Sequence, residues 1–253
     1  MNLLIDLGNS RLKWATWNAA VLRPGSALVH LGSIDNVDFS ALWKDTPVPA
    51  QVWVASVAAA ALEETLARSL RDRFALEPHF VRSSAAAAGV RSAYAAPEQL
   101  GVDRFLGLVA VHAREAAPTV LVGCGTALTL DAIDAEGRHL GGLIAPSPAL
   151  MHDALIGRTA RIAPVEHAHV VDFADNTADA VESGTWLAAS ALVERFVVRT
   201  AARLRSAPNI VFTGGDGARL AALTGLPHRL EEHLVLRGLA VYADRMDGSG
   251  TAN

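Results

Sequence analysis

A single cysteine, Cys124, stands in 253 residues. The chain can therefore build no internal disulfide and no cysteine-based zinc cluster, which suits a reducing compartment. Long hydrophobic runs are also missing: charges or glycines break every apolar stretch before the roughly 18 residues that a membrane helix needs. Met1 runs at once into strand-like sequence, without the basic start or small-residue cleavage site of a secretory signal. The expectation is a cytoplasmic protein with no membrane partner. There is no excess of positive charge either. Net charge is −4, and no dense Lys/Arg run occurs, so there is no electrostatic case for nucleic acid. Neither G-x-x-x-x-G-K-[ST] nor a G-x-G-x-x-G at a first βα turn is found, and any nucleotide must be held by another device. His167 and His169 form the one close histidine pair; an extended segment would put both on one face, where a metal site competes with a plain surface loop.

What is present is a globular composition, 51% hydrophobic with 19% charged residues and rich in alanine. The length suffices for two moderate domains, read as 1–115 and 116–253. The stretch around which the rest is organised is the first. Leu3-Leu4-Ile5 has the composition of a buried strand, and it ends in Asp6-Leu7-Gly8-Asn9-Ser10-Arg11-Leu12-Lys13, where Gly8 and Asn9 suit a tight polar turn. A carboxylate, turn amides and a lysine can then face one small volume, as phosphates and a cation require. Asp6 would hold or orient the cation and Lys13 would meet phosphate, although an ordinary hairpin explains the local residues as well.

Further strands are expected at Trp14–Trp17, near Ala27–Leu31 and at Gln51–Val57, with a short helix from Asp38 to Lys44. Leu62, Leu66 and Leu70, four apart, predict a helix over Ala60–Phe74, and Pro78–Arg82 returns as a strand. Such a β-β-β-α-β-α-β pattern implies a mixed sheet rather than a dinucleotide fold. Pro97 and Gly101 then mark a loop before a helix beginning near Asp103. An acid there is commonly a cap. It would also serve as a general base toward a substrate hydroxyl, with Arg104 steering an anionic substrate.

The second half restarts like the first. Thr119–Val122 is a strand, Gly123-Cys124-Gly125-Thr126 a glycine turn, and Ala127–Ile133 the paired strand, closing at Asp134–Gly137 in a second hairpin. Strand, Gly/hydroxyl turn, strand thus occurs twice, which suggests two α/β domains of like topology with mixed sheets facing across a cleft. Backbone amides near Gly125 and the Thr126 hydroxyl would be phosphate donors there. Helices are read at Ala149–Ile156, from an Asn176 or Thr177 cap through Trp186 towards Leu204, and at Leu234–Ala240. Asn209–Thr213 is a strand leading into Gly214-Gly215.

Taken in order, Asp6-x-Gly8-Asn9 with Lys13, Tyr94-x-x-Pro97-x-x-Leu100-Gly101-x-Asp103-Arg104, Gly125-Thr126-Ala127-x-Thr129-x-Asp131, Gly141-Gly142-x-Ile144-x-Pro146, Asn176-Thr177 and Thr213-Gly214-Gly215 resemble the type III pantothenate kinases. The resemblance spans nearly the whole chain. It implies two ribonuclease H-like domains of the actin-like ATPase and sugar kinase superfamily, and transfer of the ATP γ-phosphate to pantothenate, giving 4'-phosphopantothenate, the first step towards coenzyme A. By the same resemblance Asp6, Gly8, Asn9, Ser10, Lys13, Gly125 and Thr126 bind ATP, with Mg2+ near Asp6. Tyr94, Gly101, Val102, Asp103, Arg104 and Thr177 bind pantothenate, and Asp103 is the base. It further implies a homodimer and a monovalent cation, K+ or NH4+. Two alternatives belong beside it: a sugar or acyl kinase of the same superfamily, and a nucleotide-binding regulatory accessory protein. One position departs from the pattern. Many members carry a cation-ligating aspartate where this chain has Gly123, so potassium dependence is expected to be weak or absent.

Overall fold

A computed structural model describes residues 1–31, 38–158 and 168–249. The first strand, β1 (Asn2–Leu7), buries Leu3, Ile5 and Leu7 on one face and Leu4 on the other. A strand covered on both sides needs an unbroken apolar run of this kind. It turns back as β2 (Arg11–Asn18), antiparallel, with Asp6 opposite Lys13. The next hairpin, to β3 (Val21–Pro24), is made by Ala19 and Ala20, both left-handed at φ 48° and 63°. Positive φ at both central residues of a two-residue hairpin is the mark of a type I′ turn, which normally selects Asn-Gly, so its sequence gives no warning. The third strand therefore falls earlier than expected from Ala27–Leu31, where only the two-residue β4 (Leu28–Val29) pairs with β2. The helix expected over Asp38–Lys44 is a single 3-10 turn, Ser40–Trp43, that drives Trp43 into the core.

Next come β5 (Gln51–Ser56) parallel to β1, α1 (Ala60–Phe74), and β6 (His79–Val81) parallel to β5. Leu62, Leu66 and Leu70 of α1 close over Leu3, Ile5, Leu7, Val52 and Val54. A small hairpin, β7 (Ala86–Ala87) and β8 (Val90–Arg91), precedes α2 (Val102–Arg114).

The sheet order is β3-β2-β1-β5-β6. The second half repeats it. The strands β9 (Thr119–Cys124), β10 (Ala127–Ile133) and β11 (His139–Pro146) are antiparallel neighbours, and they are followed by α3 (Pro148–Arg158) and α4 (Thr177–Leu204). β12 (Asn209–Thr213) then runs parallel to β9, and α5 (Gly217–Thr224) leads to β13 (Arg229–Leu230), parallel to β12. The order is β11-β10-β9-β12-β13, the same three antiparallel and two parallel strands. Its core packs Leu128, Leu130 and Phe212 with Trp186 and Ala189 of α4 and Leu220 of α5.

The last helix, α6 (Leu234–Ser249), belongs with the first half. The chain divides into Met1–Glu115 together with α6, and Ala116–Glu232. The boundary expected from the sequence places all of 116–253 in the second domain. Packing explains the difference: Leu234, Leu236, Leu239, Ala240 and Ala243 are buried, and Gly238 lies so close to the Leu106 carbonyl of α2 that a Cβ would overlap it. A glycine at this spacing lets two helix backbones touch, and nothing in the local sequence names the partner.

Candidate active site

Within the first unit, the hairpin register puts Asp6 and Lys13 side by side on one face at the carboxyl end of β1, where the parallel strands open into loops. That edge is where α/β sheets hold ligands. The turn itself is closed by Gly8 N–H donating to the Arg11 carbonyl at 3.0 Å. A Cβ on Gly8 would sit 3.2 Å from that same oxygen, which is why the smallest residue stands there. Asn9 is exposed, and the Ser10 carbonyl accepts from both His30 and Leu31 amides, so the loop is braced from behind. Lys13 is one of two lysines in the chain, the other being Lys44. A lysine ammonium is a compact point charge on a flexible stem.

Asp103 occupies the first turn of α2. It does not cap the helix; its Oδ1 accepts from the Arg104 amide at 2.8 Å. The Asp103 carboxylate is close enough to act on Asp6. Burial, above all, pushes the Asp6 carboxyl up to about 7, Lys13 opposing and Asp103 adding to the rise. Two carboxylates and an ammonium therefore share a partly desolvated volume, an arrangement that a cation would relieve. Arg104 is buried, 6% exposed, and donates to the Tyr94 hydroxyl at 3.0 Å while its guanidinium lies 5.8 Å from the Tyr94 ring centre. The Tyr94 amide is held by Ser92 Oγ at 3.1 Å. Gly101 precedes the helix and Val102 is buried behind it. Of the residues read from the sequence, Asp6, Lys13 and Asp103 come together, and Tyr94 meets Arg104. The Tyr94 to Arg104 bond went unread because no periodicity links residues ten apart through a loop.

In the second unit Gly125 and Thr126 form the exposed tip of the β9–β10 hairpin. Beside it lies the turn after β12. Gly214, at φ +95°, backs onto the Cys124 carbonyl, which accepts from the Asp216 amide at 3.2 Å. Any side chain at 214 would strike that carbonyl. Cys124 is wholly buried, and its thiol is pushed up to about 12 by burial and the nearby Asp216 carboxylate, so it is no nucleophile. Gly123 lies between Thr129 and Thr213 on the neighbouring strands, and a Cβ there would stand 2.6 Å from Thr129 Oγ1. With no carboxylate at 123 and a hydroxyl occupying its space, the residues do not fit the monovalent cation ligand that the resemblance implies.

Thr177 opens α4 behind its cap, Asn176, whose Oδ1 accepts from the Asp179 amide at 2.9 Å. Thr177 lines an apolar groove of about 890 Å³ with Leu150, Met151 and Leu155 of α3. His167 lies outside the described residues. Among those described, no cluster of three His, Cys, Asp or Glu could hold a metal, and the His169 amide is engaged by Asp179. One buried pair was unforeseen: His139 Nε2 stands 3.0 Å from Asp131 Oδ1, both side chains closed off from solvent. Regular hairpin register does not announce it, since Asp131 pairs with Gly142 and His139 pairs with Ile133 beyond a bulge.

Comparison with known proteins bears on the family and the fold. The family model for type III pantothenate kinases matches residues 2–199. A type III pantothenate kinase of Xanthomonas campestris pv. campestris is 43% identical over 95% of this chain and 96% of its own length. Among solved structures, a Baf-family protein from Campylobacter jejuni superposes with a TM-score of 0.64 at 19% identity, covering 97% of this chain and 99% of that one. The activator of 2-hydroxyisocaproyl-CoA dehydratase from Clostridium difficile, bound to ADPNP, superposes at 0.52 with 11% identity, covering 100% and 97%. Both likenesses bear on the fold: two ribonuclease H-like units of the actin-like ATPase type.

Proposed function

The chain belongs to the type III pantothenate kinase family, and from that membership we infer how its own residues pass the γ-phosphate of ATP to the primary hydroxyl of pantothenate. Phosphoryl transfer demands little covalent chemistry of a protein; positioning and charge stabilisation suffice. Asp103 accepts the hydroxyl proton as that oxygen attacks the γ-phosphorus, and ADP departs. Lys13 meets the phosphates at the Asp6–Lys13 hairpin, with Gly8, Asn9 and Ser10 shaping the turn; Gly125 and Thr126 are assigned to ATP as well. Arg104, buried and oriented by Tyr94, takes the pantothenate carboxylate, while Gly101, Val102 and Thr177 complete the substrate contacts. Asp6 would hold magnesium brought in with ATP, and the buried Asp6 carboxyl with the Asp103 charge near it suits such an ion. The ion supplies charge neutralisation at the phosphates.

The observation that carries this reading is the conjunction of Asp6, Lys13 and Asp103 in one small volume. A homodimer in the cytoplasm completes the proposal. It is supported by Leu143 and Ile144, exposed on the edge strand β11, and by the exposed Leu150 and Leu155 of α3. The test is product identity. ATP with pantothenate should yield phosphopantothenate by mass spectrometry and ATP with a panel of sugars should yield no phosphorylated product; the reverse outcome would overturn the assignment.

A further inference from the structure

The start of α4 is tied down by more than a helix needs. Asn176 caps the helix and is held by the residue it caps: Asn176 Oδ1 accepts from the Asp179 amide at 2.9 Å, and Asn176 Nδ2 donates to Asp179 Oδ2 at 2.8 Å. The first of these bonds satisfies the Asp179 amide, and the second joins the two side chains. The second oxygen of Asp179 does something else. It accepts from the His169 amide at 2.7 Å, eight residues before the helix begins. One turn further along the same helix face, Ser183 Oγ accepts from the Val171 amide at 2.9 Å and donates to the His169 carbonyl at 3.3 Å. Residues at i and i+4 of the helix thus pair with alternate amides of an extended segment, as a neighbouring strand would. The segment 169–171 has no other backbone partner of this kind among the described contacts. Ser183 is 5% exposed, so its rung is shielded from water. The His169 amide, first, and then the Asn176 side chain hold the Asp179 carboxyl below its ordinary range, so it is charged at neutral pH and its hydrogen bonds are of the stronger, charge-assisted kind.

The tied elements bear on one feature. In the chain, Thr177 lies between the tied segment and Asp179, and with Ala174, Asp175 and Asn176 it lines the groove. We propose that Asp179, with Ser183, is a positioning residue that fixes the Thr177 turn and the 169–171 segment against α4, and so sets the affinity for pantothenate. This rests on the reading of Thr177 as a pantothenate contact. Asp179 touches neither substrate in this account; it acts through Thr177.

The experiment compares Asp179→Ala, Ser183→Ala and Thr177→Val with the parent enzyme, measuring kcat, the KM for pantothenate, the KM for ATP and backbone amide exchange. Losing the charge-assisted bond should free the His169 amide to exchange in Asp179→Ala, and Ser183→Ala should do the same at Val171. Both should raise the pantothenate KM by about tenfold while kcat and the ATP KM stay within about twofold. Faster exchange with an unchanged pantothenate KM would overturn the proposal, as would unchanged exchange or a loss spread evenly over all three kinetic constants. Should Asp179→Ala not fold, Ser183→Ala decides by the same criteria. If Thr177→Val raises the pantothenate KM and neither Asp179→Ala nor Ser183→Ala does, the positioning role falls and the Thr177 reading stands. If Thr177→Val is silent, the Thr177 reading falls, and the proposal with it.

Discussion

A Cβ placed on Gly101 would stand 2.6 Å from Oδ1 of Asp103, closer than real side chains approach. The glycine ahead of α2 is what lets the carboxylate fold back to accept from the Arg104 amide at 2.8 Å. Gly101→Ala should displace the base without unfolding the helix, whose remaining first-turn residues are unchanged. The expected result is a kcat lowered by about 10–100-fold with little change in melting temperature, since small misplacements of a reacting group are costly. Steady-state kinetics beside a thermal melt would check it.

Asp6 should make stability depend on pH in an unusual direction. Its carboxyl is raised from 3.8 to about 7 by burial, with Lys13 opposing and Asp103 adding to the rise. Between those two values the folded state holds a proton that the unfolded state has released, so stability falls as pH rises through the interval and the penalty is complete above about 7. Asp6→Asn removes the term. The nucleotide-free variant should exceed the parent by roughly 1–3 kcal/mol at pH above that value and lose the advantage near pH 4, although it loses turnover. Urea denaturation at several pH values, without ATP, gives the comparison.

Gly123 offers only its backbone where the sequence resemblance implies a cation-ligating carboxylate, and Thr129 Oγ1 fills the adjoining space. Turnover should therefore be nearly flat when potassium or ammonium is added against a sodium or choline background. A steep potassium activation would show that another group supplies the ligand. Gly123→Asp should not simply install one, because its Cβ must first displace Thr129.

Gly238→Ala tests the assignment of the last helix to the first unit. The added methyl meets the Leu106 backbone, which has no rotamer to yield. The variant should lose at least about 2–3 kcal/mol by chemical denaturation. A neutral effect would mean that α6 does not cross α2 at this point.

Much of the fold is written locally. The four-residue spacing of Leu62, Leu66 and Leu70 marks α1 to the residue, and the doubled strand, glycine turn and strand forecasts two sheets of the same order. What stays hidden depends on backbone strain or on distant partners. Ala19-Ala20 makes a type I′ turn without a turn residue, and Gly238 could not announce that Leu106 lies against it. The site divides in the same way. Asp6 and Lys13 are readable because strand pairing places them opposite one another. The bond from Arg104 to Tyr94 and the double use of Asp179 arise only once loops have brought separate segments together.

The central claim is that pantothenate is the phosphoryl acceptor and Asp103 its base. A coupled ADP-release assay with Mg-ATP, with and without pantothenate, on the parent and on Asp103→Asn tests it most directly. The expected result is pantothenate-dependent turnover in the parent, reduced roughly 10²–10⁴-fold in Asp103→Asn with ATP binding preserved. Folded parent protein that binds ATP yet releases no ADP with pantothenate, or an Asp103→Asn variant as fast as the parent, would contradict it.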